Sequence, residues 1–369
     1  MVRFARWPLS TGSIPRGPGN GHAVGGARLE PFRMTQKLCF IGNSHLAALK
    51  RGWDGMAADY PDVDITMFIG LGHRYEHAYL EGHFIKTQFG ELLDTFVRHS
   101  GGRDSIDLTA YDRFVVVGLG FDIVLLTRIY DRYRTVMNNG PAKKEVPFVS
   151  LDVLAQMVIA DLREHSLALR LASMVKTVVS DPVHLCWVPL KRKAALRIST
   201  KKKLAIAKGL AAIRRNGDED LVRVVMERIR VLLRPEGILL IEQPEETVAD
   251  RIFTREELSQ AAHIGPDDPH IRERLDDIGH MNPFFGRIMM NRIMETVAPG
   301  ARVATAAAID SAAEIEAARA QMEVQSEKRR QAPRSKQASA TPRRRPWHRP
   351  LVKWGKRILG AGRKKKGES

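Results

Sequence analysis

The sequence has few cysteines and no long apolar run, and each shortage excludes a class of protein. Two of its 369 residues are cysteines, Cys39 and Cys186, and each lies in a short apolar segment. They imply no disulfide framework and no cysteine metal site, and are typical of core residues in a reducing compartment. The longest apolar stretch, residues 114–126, is too short to cross a bilayer as a helix and contains Asp122. We therefore expect no transmembrane helix and a cytoplasmic protein.

The first residues lack the features of a secretion signal. Residues 1–34 contain five arginines but no continuous apolar core. This pattern predicts a disordered leader, or a natural start at Met34 that follows translated non-coding sequence. The glycines of Gly118-Leu119-Gly120 do not complete the G-x-G-x-x-G pattern of dinucleotide-binding proteins. We expect no cofactor.

The net charge of +17 belongs mainly to the chain ends. Residues 328–369 hold sixteen Lys/Arg and one acidic residue, so the body between 35 and 327 is nearly neutral. We predict this basic tail to be disordered. Four of its apolar residues have helical spacing: Leu351, Trp354, Ile358 and Leu359. That spacing favours a basic helix on an anionic membrane surface, ahead of nucleic acid binding, with a plain solvated tail as the simpler interpretation.

Short β-rich runs alternate with helical stretches from Lys37 to Pro299, which is the pattern of a parallel sheet covered on both faces. The predicted strands are Lys37–Ile41, Asp64–Ile69, Phe114–Val117, His184–Val188 and Gly237–Ile241. The predicted helices are Leu46–Asp59, Asp220–Leu233 and Phe284–Val297, followed by an exposed helix over 301–327. The fold is thus predicted as α/β, a three-layer αβα sandwich with a flavodoxin-like parallel sheet of five strands, spanning residues 35–300.

A basic segment follows the fourth predicted strand. Residues 191–215 contain ten Lys/Arg and no acidic residue. Because the segment begins at the carboxyl edge of the sheet, where open α/β folds bind ligands, it is a candidate site for an anionic substrate or partner. A solvated helix face is the more ordinary interpretation.

A serine stands at the first strand-to-helix turn, in Gly42-Asn43-Ser44-His45. Backbone N–H groups and the helix dipole at such a turn stabilise a developing oxyanion, so Ser44 is a candidate nucleophile. Its hydroxyl still needs a base to take its proton. Taken alone, Ser44 is more simply the N-cap of the helix that follows.

A base and a carboxylate stand near the other end of the predicted domain. Asp277 precedes His280 by three residues, just before the last predicted helix. That spacing lets one loop present an imidazole while the carboxylate orients it. A loop histidine beside a solvated aspartate is an equally good interpretation of this pair alone. Combined with Ser44, the pair predicts a Ser-His-Asp triad.

At these residues the chain resembles the SGNH/GDSL hydrolases, over roughly residues 37–298. In that family a first block like G-D-S carries the nucleophile, and a last D-x-x-H block carries the acid and the base. A glycine and an asparagine between the two blocks complete the oxyanion hole. The resemblance implies that Ser44 is the nucleophile, His280 the base and Asp277 its orienting acid.

The resemblance also implies which residues surround the reaction. Oxyanion donors are expected at Ser44, at Gly72 or Gly70, and at Gly120, which stands where the third block has its asparagine. Polar neighbours of these blocks are expected to contact substrate: Asn43, His45, His73 and Asn282. Loss of one oxyanion donor typically costs on the order of 10²–10³ in rate, unless another donor such as His45, His73 or Arg74 replaces it.

Residues 263–280 suggest one competing chemistry, because they contain His263, His270, His280 and four aspartates. They show neither H-x-x-x-H spacing nor a cysteine pair, and their proline and glycine residues indicate a loop. No metal site is expected.

Three functions follow as hypotheses. The first is a serine esterase or acyl hydrolase that forms an acyl intermediate on Ser44, and the family resemblance suggests an O-acylated carbohydrate as substrate. The second keeps the fold without catalysis, as a carbohydrate-binding or scaffold protein. The third is an adaptor that binds a membrane or nucleic acid through the basic tail.

Overall fold

The computed structural model describes residues 35–141, 145–198, 201–264, 268, 276–301 and 309–331. The expectations for the leader at 1–34 and for the basic tail beyond Gln331 lie outside the described residues. The first four residues of the predicted disordered tail, 328–331, are instead the end of a helix. Within the described ranges, no helix is long and apolar enough to cross a membrane.

The centre of the fold is a five-stranded, fully parallel sheet, as predicted. Its strands are β1 Gln36–Gly42, β2 Val63–Ile69, β6 Arg113–Val117, β7 Val183–Cys186 and β8 Ile238–Ile241. They lie in the order β2-β1-β6-β7-β8, which is the flavodoxin-like arrangement. β1 and β6 are almost entirely buried, because helices cover both faces of the sheet.

Two small antiparallel sheets lie outside the central sheet. The strands of the first are β3 Ala78–Glu81, β4 Phe84–Thr87 and β5 Ile106–Asp107. The second pairs β9 Val248–Ala249 with β10 Phe253–Thr254. Sequence periodicity did not predict these strands, because segments of two to four residues are too short to show a pattern.

The helices form two layers, each with its own apolar cluster against one face of the sheet. Along the chain they are α1 Leu46–Asp54, α2 Gly90–His99, α3 Val124–Ile129, α4 Leu151–His165, α5 Leu167–Lys176, α6 Lys201–Asn216, α7 Glu219–Leu233, α8 Pro283–Val297 and α9 Ser311–Gln331. One cluster includes Leu49 and Trp53 of α1 and Met290 of α8. The three-layer sandwich is therefore confirmed.

The first helix is shorter than predicted. Instead of continuing to Asp59, α1 ends at Asp54, with Gly55 as its C-cap. A separate 3-10 turn, Ala57–Asp59, follows. Glycine has the poorest helix propensity of the non-proline residues, so a break at Gly55 is physically reasonable.

Helices α1 and α8 approach each other at two glycines. A Cβ added to Gly286 would lie 2.0 Å from the carbonyl oxygen of Ala48, and one added to Gly52 would lie 2.3 Å from the carbonyl carbon of Gly286. Only residues without a side chain allow this approach. Because α1 follows Ser44 and α8 follows His280, the contact fixes how the two predicted site segments face each other.

The last helix is held on the domain by both apolar and charged contacts. Ile315 and Ala318 of α9 are buried in the cluster that contains α1 and α8. Glu314 accepts two hydrogen bonds from Arg287 of α8, and the shorter is 2.5 Å. The other side chains of α9 are exposed or half-buried, so the exposed helix expected near this position has one anchored face.

Candidate active site

Ser44 occupies the turn between β1 and α1, at the carboxyl edge of the central sheet. Its side chain is exposed, and its Oγ lies 2.7 Å from Nε2 of His280. The N-cap of α1 is His45, and no side chain makes a capping hydrogen bond there. Ser44 is therefore not the helix cap that the simpler interpretation assumed.

Asp277 holds the other side of the imidazole. Its Oδ2 lies 2.7 Å from Nδ1 of His280. Its Oδ1 accepts the backbone N–H groups of Gly279 at 3.0 Å and His280 at 3.1 Å. Because a carboxylate at this distance holds the proton on Nδ1, Nε2 is the nitrogen free to accept the proton of Ser44.

The charge on Asp277 is stabilised by these same contacts. Burial alone would raise the pKa of the Asp277 carboxyl. The hydrogen bonds from the His280 ring and from the two backbone N–H groups outweigh burial and hold the pKa well below its usual range. Asp277 is therefore ionised at neutral pH, as an orienting carboxylate must be.

Backbone contacts fix the loop that carries this pair. The His280 carbonyl accepts the N–H of Gln260 at 2.9 Å, and the Ile278 carbonyl accepts the N–H of Arg192 at 3.2 Å. Met281 forms an isolated bridge with Ser259. The imidazole is consequently presented by a loop that is tied to its neighbours on both sides.

Asn282 does not have the substrate contact expected of it. It is 2% exposed and is the N-cap of α8. Its Oδ1 accepts the Phe285 N–H at 3.1 Å, and its Nδ2 donates to the Glu257 carbonyl at 2.8 Å. The expectation is corrected: Asn282 stabilises the start of α8 and offers no free group to a substrate.

His45 packs directly on the base. Its ring stacks on that of His280 with centroids 5.0 Å apart, and its buried Nδ1 has no partner among the described residues. Burial, aided by the nearby charges of Lys191 and His280, lowers the pKa of His45 to about 3. The ring is therefore neutral at physiological pH.

The loops that follow β2 and β6, the two strands beside β1, contain glycines near the Ser44 turn. Gly72, after β2, lies beside the Asn43 side chain, whereas Gly70 packs against Leu92 and Tyr75 in the core. After β6, Gly118 lies against Asn43. A side chain at Gly120 would instead approach the backbone of His165 and Ser166. Gly72 and Gly118 are thus the glycines whose Cα atoms face Asn43, the residue before Ser44.

No family model matches the chain, and no curated protein does. The resemblance to SGNH/GDSL hydrolases therefore rests on the short motifs of the sequence.

His73 and Arg74 are the other candidate oxyanion donors. His73 is exposed, and Arg74 forms an ion pair with Glu91 at 2.5 Å. Arg74 also donates to the Glu91 carbonyl at 3.4 Å. Its guanidinium is therefore directed to α2.

A partly buried ion pair that the sequence did not predict borders the site. Lys191 Nζ lies 2.7 Å from Asp122 Oδ2, and these side chains are 11% and 21% exposed. The lysine lies near Gly279, because a Cβ there would be 3.7 Å from Nζ. The sequence feature that could have indicated this pair is Asp122, the one charged residue in the apolar stretch at 114–126.

Much of the charge at the start and end of the basic segment 191–215 is neutralised. Arg192 pairs with Glu256 at 2.5 Å. Lys193 and Arg214 both pair with Asp250, at 2.9 and 2.6 Å. These pairs weaken the case for a broad anion-binding surface there.

Among residues that the structure describes, no three His, Cys, Asp or Glu side chains are grouped to hold a metal ion. His270 and Asp267 of the competing histidine cluster lie outside those residues. An apolar cavity borders His45, and its walls include Leu49, Trp187, Phe285 and Met289.

Proposed function

We propose that this protein is an SGNH-like serine hydrolase that cleaves esters through a Ser44-bound acyl intermediate. The observation that carries the proposal is the continuous hydrogen-bond chain Ser44–His280–Asp277, with 2.7 Å at each step. Residues separated by 236 positions in sequence meet in the order that nucleophilic catalysis requires.

Each residue has a defined role in the proposed reaction. Ser44 Oγ attacks the ester carbonyl carbon while Nε2 of His280 takes its proton. The ester C–O bond then breaks, and His280 returns the proton to the departing alcohol oxygen. Asp277 remains ionised and stabilises the imidazolium. Water repeats the sequence on the acyl-enzyme and releases the acid.

The apolar cavity beside His45 has a volume of about 20 Å³, roughly the space of one water molecule, so it does not hold an acyl chain. The family resemblance adds O-acylated carbohydrate as the alcohol side. The basic tail adds a second proposed partner, an anionic membrane surface, which would make a cytoplasmic enzyme peripheral to the membrane.

Kinetic comparison of the parent with triad variants tests the proposal. The parent should hydrolyse short-chain nitrophenyl esters or O-acetylated sugars, whereas Ser44→Ala and His280→Ala should not. Thermal melting is the folding control, since Ser44 makes no capping hydrogen bond to α1. Turnover by Ser44→Ala at the parent's rate would refute the assignment of the nucleophile.

One observation favours a non-catalytic alternative. The third block has glycine where the family has asparagine, so one expected oxyanion donor is missing. A carbohydrate-binding protein with this fold would need no such donor. Binding of acylated sugars by calorimetry, without turnover by the parent, would support this second function.

A further inference from the structure

We infer that the side-chain amide of Asn43 is an oxyanion donor, replacing the asparagine that the third block lacks. The inference rests on the proposed function, because an oxyanion forms only if Ser44 attacks a carbonyl carbon. It assigns a catalytic group to the first block of the motif, where the family usually has an aspartate.

The position of the Asn43 side chain is the first argument. Nδ2 lies 3.5 Å from where a Cβ of Gly72 would be, and Oδ1 lies 2.5 Å from where a Cβ of Gly118 would be. The amide therefore lies between the loops that follow β2 and β6, on the two sides of β1. The next residue in the chain carries the nucleophile.

The orientation of the amide is the second argument. Oδ1 accepts the backbone N–H of His45 at 3.2 Å, which identifies it as the acceptor end. The NH₂ group then faces the Gly72 side. It donates no hydrogen bond to any residue in the described part of the chain. An unused donor at the edge of an open site is available to a ligand oxygen.

Gly118 leaves the space that the Asn43 amide occupies. Its φ is +75°, and a side chain there would meet Oδ1 of Asn43 at 2.5 Å and Cδ2 of His45 at 3.1 Å. A side chain at position 118 would therefore collide with the Asn43 amide. The glycine after β6 and the asparagine after β1 are sterically complementary.

The competing side-chain donors are less suitable. The two terminal nitrogens of Arg74 are engaged by Glu91, and the His45 ring is stacked on the base with its Cδ2 against Gly118. The backbone N–H groups of Ser44 and Gly72 donate to no described residue. Together with Nδ2 of Asn43, they supply three donors around the Ser44 turn.

The proposed step is balanced as follows. Ser44 Oγ forms a bond to the carbonyl carbon, and its proton moves to Nε2 of His280. The carbonyl π electrons move to the carbonyl oxygen, which becomes the oxyanion. Nδ2 of Asn43 donates a hydrogen bond to that oxygen without transferring a proton. When the C–O double bond reforms, the alcohol leaves with the proton from His280.

Asn43→Asp and Asn43→Ala together test the inference, because Asp keeps the acceptor for the His45 N–H but replaces the NH₂ donor with a charged oxygen, and Ala removes the donor without adding charge. We expect kcat on a nitrophenyl ester to fall by about 10²–10³, with a much smaller change in KM. The loss should persist across the pH profile, and Asn43→Ala should show a loss of similar size without any new charge. Gln88→Glu makes the same amide-to-carboxylate change on an exposed residue and is the charge control.

The outcomes separate this inference from the proposed function. If the parent turns over and Ser44→Ala does not, but both Asn43 variants keep the parent's kcat, the inference is wrong and the hydrolase proposal stands. A higher kcat in Asn43→Ala would mean that the amide obstructs the site, which also refutes the inference. A parent that neither turns over nor reacts with a fluorophosphonate refutes both. Melting of each variant verifies folding.

Discussion

The close approach of α1 and α8 at Gly52 and Gly286 yields a quantitative prediction. Gly286→Ala adds a methyl group 2.0 Å from the carbonyl oxygen of Ala48, so one helix must move by more than 1 Å to reach an ordinary contact of about 3.4 Å. Overpacking of this kind costs about 1–3 kcal/mol. The higher helix propensity of alanine offsets up to about 1 kcal/mol of this cost. Because the obstacle is backbone, we expect a net loss of about 2 kcal/mol.

Urea unfolding measures this loss, with Gly90→Ala as the matched control. Gly90 begins α2, and a Cβ added there meets nothing within 4 Å. Its alanine variant should be as stable as the parent or slightly more stable. For Gly286→Ala, the midpoint should fall with an unchanged slope, and fluorophosphonate labelling of Ser44 should slow because α1 and α8 follow the two halves of the triad. Equal stability of the two variants would refute the close-packing argument.

Three further predictions concern the triad, acid stability and the tail. Asp277→Asn should lower kcat by about 10⁴ without unfolding, since the amide no longer holds the proton on Nδ1; steady-state kinetics with a melting control measure this, and parent-like turnover would contradict it. The folded pKa of His45, about 3, lies below its ordinary 6.5, so its contribution to stability is complete above 6.5 and is lost as pH falls from there towards 3. Urea unfolding of His45→Gln relative to the parent should therefore show a relative gain as the pH is lowered from 6.5 to 4, and a constant difference would contradict the buried neutral ring. Deletion of residues 332–369, which leaves α9 intact, should abolish salt-sensitive co-sedimentation with anionic vesicles; equal sedimentation of both chains would contradict the membrane role.

The sheet was predictable because its strands are buried on both faces. Such strands read as short apolar runs, and in β1 and β6 those runs agree with the observed strands to within one residue at each end. The length of α1 was not predictable in the same way. Its apolar spacing continues past Gly55, and the helix ends there on a glycine that periodicity does not register.

Ser44, Asp277 and His280 were identifiable because each lies in a short local motif. Asp277 and His280 lie on one loop, and Ser44 marks a strand end, so topology alone brings them to one edge. The role of Asn282 was not visible, because capping and substrate binding use the same polar residue type. The Lys191–Asp122 pair joins residues 69 positions apart, which no local pattern reveals.

The central claim is that Ser44 is an activated nucleophile, and covalent labelling with a fluorophosphonate tests it most directly. Ser105 offers a matched control, since its hydroxyl donates to Asp104 at 2.8 Å but has no imidazole partner among the described residues. We predict that the parent and Ser105→Ala are labelled once, at Ser44 by peptide mass spectrometry, and that Ser44→Ala is not labelled. An unlabelled parent, or label at another residue that survives Ser44→Ala, would contradict the account.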